Sequence, residues 1–267
     1  MIIDYDIRQL TPYINWDYFF YAWGMHNKPI DERQKLQEEA MSVLSDLEGR
    51  YKAHALFLLI DAHSEGDDVV VECGTEESGF VRFPFLRQQQ PGSDCMCLAD
   101  FVHPEHDRIG VFATTVDMGL EKDFDNDTYM KMMVQLLADR LAEAAAECMH
   151  EAVRKNYWGY APDEHLTMQQ LHSEQFQGIR PAVGYPSLPD TSFNFVLNEL
   201  LDFHQIGIRL TESGAMKPHA SVSGLMIAHP EARYFSLGTI GEDQLQDYAR
   251  RRGLPVEVMR KFLTSNL

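Results

Sequence analysis

The stretch from about Asp127 to Asn156 constrains this chain most. Met130, Met133, Leu137, Leu141, Ala145, Cys148 and Ala152 recur there at helical spacing, with charged residues between them. A helix of that length with one apolar stripe must lie across a hydrophobic surface. The rest of the chain supplies one. Ala55 to Ile60, Asp68 to Cys73, Phe80 to Leu86 and Ile109 to Val116 are short apolar or alternating runs, so buried strands. Ser64-Glu65-Gly66-Asp67 has turn chemistry and makes the first two a hairpin. Ile208 to Leu210, Ala220 to Ala228 and Tyr234 to Thr239 read as further strands. Residues 31 to 51 read as a helix that Asp31 can cap, and so do 167 to 175, 191 to 203, 242 to 252 and 255 to 263. Trp16, Tyr18, Phe19, Phe20, Tyr21 and Trp23 form an aromatic segment, read as an anchoring turn or short strand. Repeats, low-complexity tracts and linkers do not stand out. The expectation is one α+β domain over 1–267, with a mostly antiparallel sheet flanked by helices.

Charge then excludes classes of function. Twenty-three Lys and Arg against 41 Asp and Glu leave a formal charge of −18. Phosphate backbones and anionic membranes are read by basic patches, so no nucleic acid and no membrane is expected as partner. No apolar run approaches the roughly 20 residues needed to span a bilayer. The N-terminus lacks the basic and apolar regions of a signal peptide, so a cytoplasmic protein is expected. Cys73, Cys95, Cys97 and Cys148 are too sparse for a disulfide scaffold and read as reduced thiols.

Four features could carry chemistry. Asp139, Glu143 and Glu147 lie at i, i+4 and i+8 on one helix face. They read as a solvated face or as a carboxylate cluster facing a cationic ligand. Arg180-Pro181-Ala182-Val183-Gly184-Tyr185-Pro186 joins a planar cationic fork, an aromatic hydroxyl and a backbone held irregular by two prolines and a glycine. It reads as a small-molecule clamp or as a surface loop. Asp61-Ala62-His63-Ser64-Glu65-Gly66 spells a cobalt-ligating pattern, but on a hairpin and not between a strand and a helix. His103-Pro104-Glu105-His106-Asp107 lacks the helical spacing of a histidine metal pair and reads as a polar loop. On these grounds alone no reaction can be named.

The stretches LADRLAEAAAECMHEAVRKNYWGYAPDE (137–164), QGIRPAVGYP (177–186), RLTESGAMKPHASVSG (209–224) and DYARRRG (247–253) resemble the C-terminal activation domain of cobalamin-dependent methionine synthase. The likeness runs from Tyr13-Ile14-Asn15-Trp16 to the end. It implies a C-shaped α+β domain with a twisted antiparallel sheet that binds S-adenosylmethionine and covers the corrin of a cobalamin module. One electron, from flavodoxin or a similar reductase, and the sulfonium methyl then return inactive cob(II)alamin to methylcobalamin. Cobalamin itself would be carried by the partner module.

The resemblance also implies residue roles. Arg180 holds the ligand carboxylate. Ala182, Gly184, Tyr185 and Tyr234 shape the adenosyl side. Glu143 and Glu174 complement the amino group and sulfonium. Asp139 receives the displaced axial histidine, and Met216, Lys217, Pro218, His219, Ala220 and Ser221 lie on the corrin-facing loop. Three places depart from the family. Asn15 stands for a ligand-facing Asp, Lys122 for an acid, and Asp61-Ala62-His63 for a Pro-Ala-Asn turn. The homocysteine, folate and cobalamin modules are absent from the sequence. It therefore reads as the reactivation subunit of a split enzyme or as a fragment, unable to make methionine alone. The alternative is a non-catalytic docking or regulatory protein with a degenerate ligand site. An acidic electron donor, if it docks, would approach near Arg250-Arg251-Arg252.

Overall fold

In the computed structural model, which describes residues 1–72 and 79–267, strand β2 is the spine. The elements run in the order β1 (Ile2–Asp6), α1 (Ile7–Leu10), α2 (Trp16–Ala22), α3 (Ile30–Leu47), β2 (Lys52–Glu65), β3 (Asp68–Glu72), β4 (Phe80–Pro84) and β5 (Asp107–Val116). Then follow α4 (Gly119–Lys122), α5 (Thr128–Ala152), α6 (Met168–His172), α7 (Phe193–Leu201), β6 (Arg209–Leu210), β7 (Met216–Lys217), β8 (Ser221–Met226), α8 (Glu242–Arg252) and α9 (Val256–Phe262).

The main sheet has the order β4-β3-β2-β5-β8, with β1 added beside the first half of β2. Every pairing is antiparallel, and β2 meets β5 from Ala53↔Val116 to Ala62↔Asp107. Strand periodicity sorts the side chains into two cores. Ala53, Ala55, Phe57, Phe112, Val116, Val222 and Met226 face α3 and α5. Leu56, Ile60, Ala62, Ile109, Val111, Ala113 and Leu225 face α7 and the segment around Leu98. Helices α8 and α9 close a third cluster over Leu86 and Leu237. No helix among the described residues is long and apolar enough to cross a membrane.

The long helix α5 begins where Asp127 accepts the backbone N–H groups of Tyr129 and Met130, both at 3.0 Å. Its buried face carries Ala138, Ala142, Ala144, Ala145 and Ala146. These small residues let it lie close on β5, where the Thr114 hydroxyl donates to the Ala142 carbonyl at 2.9 Å.

Several sequence expectations change. The aromatic segment is the helix α2, capped by Asn15, with Phe19 and Phe20 buried. Trp16, Phe19/Phe20 and Trp23 have helical spacing, which outweighs the strand propensity of aromatics. Helix α3 starts after Pro29, so Asp31 lies in its first turn and does not cap it. Ser64 and Glu65 belong to β2, and the hairpin turn is Gly66-Asp67, with Gly66 at φ 63°. Tyr234 to Thr239 pairs with no strand, and its Leu237 N–H donates instead to the Pro186 carbonyl at 2.9 Å. Short strands β1 and β7 were not anticipated. Cys73 lies outside the described residues; Cys95, Cys97 and Cys148 are free thiols, and burial pushes Cys97 up to about 12.

The basic run at the end of α8 is largely structural. Arg251 bonds Asp68 at 2.5 Å, Asp247 at 2.7 Å and the Phe85 carbonyl at 2.9 Å. Arg252 is buried beside Asp190 and Ser192. Only Arg250 of the three projects outward, paired with Asp247. The expected landing face for an acidic donor is therefore reduced to one arginine.

Candidate functional site

The site forms where the irregular segment after α6 lies against β8. Ile179 bridges Ile227, and Ala182 bridges Gly224. The Val183 N–H donates to the Ser223 carbonyl at 2.9 Å, and the Leu225 N–H to the Pro181 carbonyl at 3.0 Å. This approach needs glycine at two positions. A Cβ on Gly224 would stand 2.2 Å from the Pro181 oxygen, and one on Gly178 (φ 82°) 2.3 Å from the Ile227 oxygen. Gly224→Ala is therefore expected to push the clamp segment off β8. A loss of about 1–3 kcal/mol in denaturant unfolding, together with weakened ligand binding, should follow. Unchanged stability would show that the segment yields without cost.

Helix α5 forms the opposite wall. A pocket of about 570 Å³ lies between them. Asn15, Glu143, Glu147, Glu174, Arg180, Ala182, Tyr185 and Tyr234 all line it. Seven of these eight were expected from the sequence; Glu147, although part of the acidic stripe, was not assigned a ligand role. Tyr13, Tyr18, Arg140 and His172 also line the pocket and were missed. Arg140 had a readable signal, because it neighbours Asp139 and precedes Glu143 by three positions on α5. Gly184 lies outside the lining. It makes the turn that follows, at φ 89°, with its N–H donating to the Leu188 carbonyl at 2.8 Å.

The pocket is strongly polarised. The Arg180 guanidinium is 2.9 Å from Glu147 Oε2 and lies over the Phe112 ring. Both partners are nearly buried, with side-chain exposures of 11% and 12%. Burial opposes the Arg180 charge, but Glu147, Tyr234 and Glu143 together outweigh it and hold the group protonated. The Arg180 backbone N–H donates to the Tyr234 hydroxyl at 2.8 Å, which leaves that hydroxyl's own proton to donate. Burial raises the Tyr234 pKa to about 12, so the proton stays. Tyr185 donates to Glu143 at 2.9 Å. The Glu174 backbone is left-handed at φ 57°, just past the end of α6. Burial raises the pKa of its carboxyl, against the pull of Arg180. Asn15 faces the pocket from the start of α2, where its Oδ1 accepts the Asp17 N–H at 3.2 Å.

Two buried atoms have no partner here, Arg180 Nε and Glu147 Oε1. A buried donor and a buried acceptor left open are costly, so such a pair marks a place shaped for something else to bond. The donor set suits a molecule with a carboxylate at one end and positive charge nearby.

Asp139 is the exception in the acidic stripe. It is half-buried outside the pocket lining, and burial raises the pKa of its carboxyl, with Arg140 and His219 pulling the other way. The loop Met216 to Ser221 meets it there. The His219 N–H donates to Glu121, and Ser221 Oγ bonds Thr115 at 2.7 Å and the Pro218 carbonyl at 2.8 Å. Met216, Lys217 and His219 remain at least partly exposed, whereas Ala220 is buried. Lys122 sits at the end of α4, next to Glu121.

The two histidine motifs take other roles. His63 lies in β2 opposite Val70 and pairs with Glu65 at 3.1 Å. His103 Nδ1 accepts the Glu105 N–H at 3.1 Å within its own turn.

Comparison with known proteins agrees with this arrangement. The family model described as "Vitamin B12 dependent methionine synthase, activation domain" matches residues 6–253. The chain is 38% identical to the solved "MetH Reactivation Domain bound to AdoHcy", with a TM-score of 0.91 over 100% of this chain and 90% of that one. The long α5 stripe, the Arg180 segment on β8 and this match together show that the chain belongs to the activation-domain family of vitamin B12 dependent methionine synthase.

Proposed function

We propose that the chain binds S-adenosylmethionine in the Arg180 pocket and supports reductive methylation of cob(II)alamin to methylcobalamin on a partner module. The carrying observation is the nearly buried Arg180 fork, with an unpartnered Nε, facing carboxylates in a pocket of about 570 Å³. That volume lies within the range of small-molecule sites, about 300–1,000 Å³. S-adenosylmethionine offers a carboxylate, an ammonium and a sulfonium to this set. The solved relative carrying AdoHcy, the same molecule without the sulfonium methyl, supports the reading.

In this reading Arg180 takes the carboxylate, and the Ala182 backbone, Tyr185 and Tyr234 flank the adenosyl group. Gly184 contributes the turn and not a contact. Glu143 and Glu174 offset the positive charge, and Asn15 supplies a polar but uncharged contact. Asp139 and the loop Met216 to Ser221 face the cobalamin-carrying module, with Asp139 taking its displaced histidine. The electron comes from flavodoxin or a similar reductase. The whole chain, 1–267, acts as one cytoplasmic activation domain and does not make methionine by itself.

Calorimetric titration of S-adenosylmethionine into the protein tests this. Saturable binding at one site is expected. Absence of binding, even with a cobalamin module present, overturns the reading.

A pH dependence follows from Glu174. Its folded-state pKa is raised by burial, so its charge costs stability at neutral pH, and that cost is relieved as pH falls through the raised value. A cationic ligand favours the ionised form. Affinity for S-adenosylmethionine should therefore fall as pH drops from neutral towards the ordinary carboxylate range, with proton release on binding in that window. S-adenosylhomocysteine, whose sulfur is neutral, should lose less. Titrations in buffers of different ionisation enthalpy measure both, and equal pH profiles for the two ligands would remove Glu174 from the role.

A further inference from the structure

We infer that His172 is a positioning residue: it latches the end of α6 to Tyr13 and so fixes where the wall carrying Asn15 stands across the pocket. This rests on the pocket being the S-adenosylmethionine site. The pocket walls come from segments far apart in the chain, and they are not held alike. Helix α5 is packed into the core, and residues 179–183 are bonded to β8 through their backbone. The turn from Thr11 to Asn15 lacks such a ladder. Pro12 has no N–H to give, and among the described residues no backbone hydrogen bond joins this turn to a distant segment. Side chains hold it instead. Ile14 is buried in the core, and the Tyr13 hydroxyl donates to Glu151 Oε2 on α5 at 2.6 Å. From the other side, His172 Nε2 donates to the Tyr13 carbonyl at 3.1 Å, across 159 positions of sequence.

That bond is placed to set the pocket. Helix α6 closes on itself: Thr167 caps its start, and Ser173 Oγ donates to the Gln169 carbonyl at 2.7 Å. Leu171 is buried and seats the helix from below. The His172 contact is then the one hydrogen bond, among the described residues, that ties 167–174 to 11–15. It lies beside the lining residues of both walls, because Asn15 follows Tyr13 by two positions and Glu174 follows His172 by two. A carbonyl can only accept, so Nε2 keeps its proton here in either charge state of the ring. The nitrogen is therefore spent on the protein, and His172 acts on the ligand through the Tyr13–Asn15 wall.

Calorimetric titration of S-adenosylhomocysteine into the full chain tests this with four variants: His172→Leu, His172→Gln, Asn15→Ser, and Asn15→Ser combined with His172→Leu. Serine at position 15 keeps a capping oxygen for α2 but withdraws the amide from the pocket. His172→Leu removes the donor and is expected to weaken binding by about 3- to 10-fold, the worth of one neutral hydrogen bond. His172→Gln retains an N–H on a side chain of similar reach and should bind within roughly twofold of wild type. Asn15→Ser should weaken binding by itself. In that background His172→Leu should cost less than roughly twofold more, because the wall it positions no longer holds the ligand. Additive losses would mean that His172 touches the ligand directly or props the pocket in general, and would overturn the inference. So would a His172→Gln variant as weak as His172→Leu, or an Asn15→Ser variant that binds as wild type does. If wild type does not bind at all, the parent reading fails and this one with it. If wild type binds and His172→Leu binds equally well, only the His172 role fails.

Discussion

Arg180→Ala is expected to weaken S-adenosylmethionine binding by about 100-fold or more, because two charge-assisted hydrogen bonds to one carboxylate are lost together. The same change has a second, separable effect. It strands the Glu147 carboxylate, whose side chain is only 12% exposed. Breaking a buried pair from one side costs about 3–5 kcal/mol, so the variant should also melt earlier. The two effects can be divided. Arg180→Ala combined with Glu147→Gln removes the stranded charge and should recover much of the stability. It should not recover binding. Denaturant unfolding and calorimetry on the two variants give the comparison. A double variant that binds as wild type does would show that the carboxylate is held elsewhere.

Arg154→Ala is the substitution expected to damage the fold most. Arg154 is fully buried and donates to Glu164 at 2.7, 3.0 and 3.1 Å. It also donates to His150 Nδ1 at 2.9 Å and lies 4.3 Å from the centroid of the Phe176 ring. Because Nδ1 accepts, His150 is neutral with its proton on Nε2, facing the Tyr160 oxygen at 3.4 Å. Burial, with the charges of Arg154 and Arg180, pushes the His150 pKa well below its ordinary value and keeps that form. Removing Arg154 leaves a buried carboxylate without a partner. The expected cost is about 3–5 kcal/mol, a fall in Tm on the order of 10 °C for a chain of this size. Adding Glu164→Gln should return part of it. A cost below about 1 kcal/mol would place the pair among weak surface bridges. Phe176 lies between Glu174 and Arg180 in sequence, so ligand affinity should fall along with stability.

Much of the fold was legible because its signals are local. The α5 stripe, the β2–β3 hairpin and the runs at 80–86 and 109–116 follow from periodicity and turn chemistry, which neighbours in sequence determine. The failures are equally specific. The aromatic segment at 16–23 satisfies both strand propensity and helical spacing, and packing on α5 decides for the helix. Tyr234 to Thr239 has strand-like composition, but its Leu237 N–H is taken by the Pro186 carbonyl of the clamp, so it runs irregularly between the clamp and α8. Arg251 and Arg252 look like a basic surface in sequence, yet acids far away in the chain, Asp68 and Asp190, draw them inward.

The site divides along the same line. The sequence alone put Asp139, Glu143 and Glu147 on one helical face, because 3.6 residues per turn stack positions four apart. It also marked Arg180 to Pro186 as rigid and irregular, because proline and glycine restrict the backbone locally. Those readings left a solvated stripe and a surface loop as open alternatives. Only the tertiary structure decided between them. The segment 179–183 lies on β8 because Gly224, more than 40 residues away, has no side chain, and that contact brings Arg180 to 2.9 Å from Glu147. Burial then gives the charges their meaning: the same carboxylates that would be ordinary in water become costly and directed once Arg180 and the pocket walls exclude solvent. Local pattern supplied the chemical groups, and long-range packing set their distances and their dielectric surroundings.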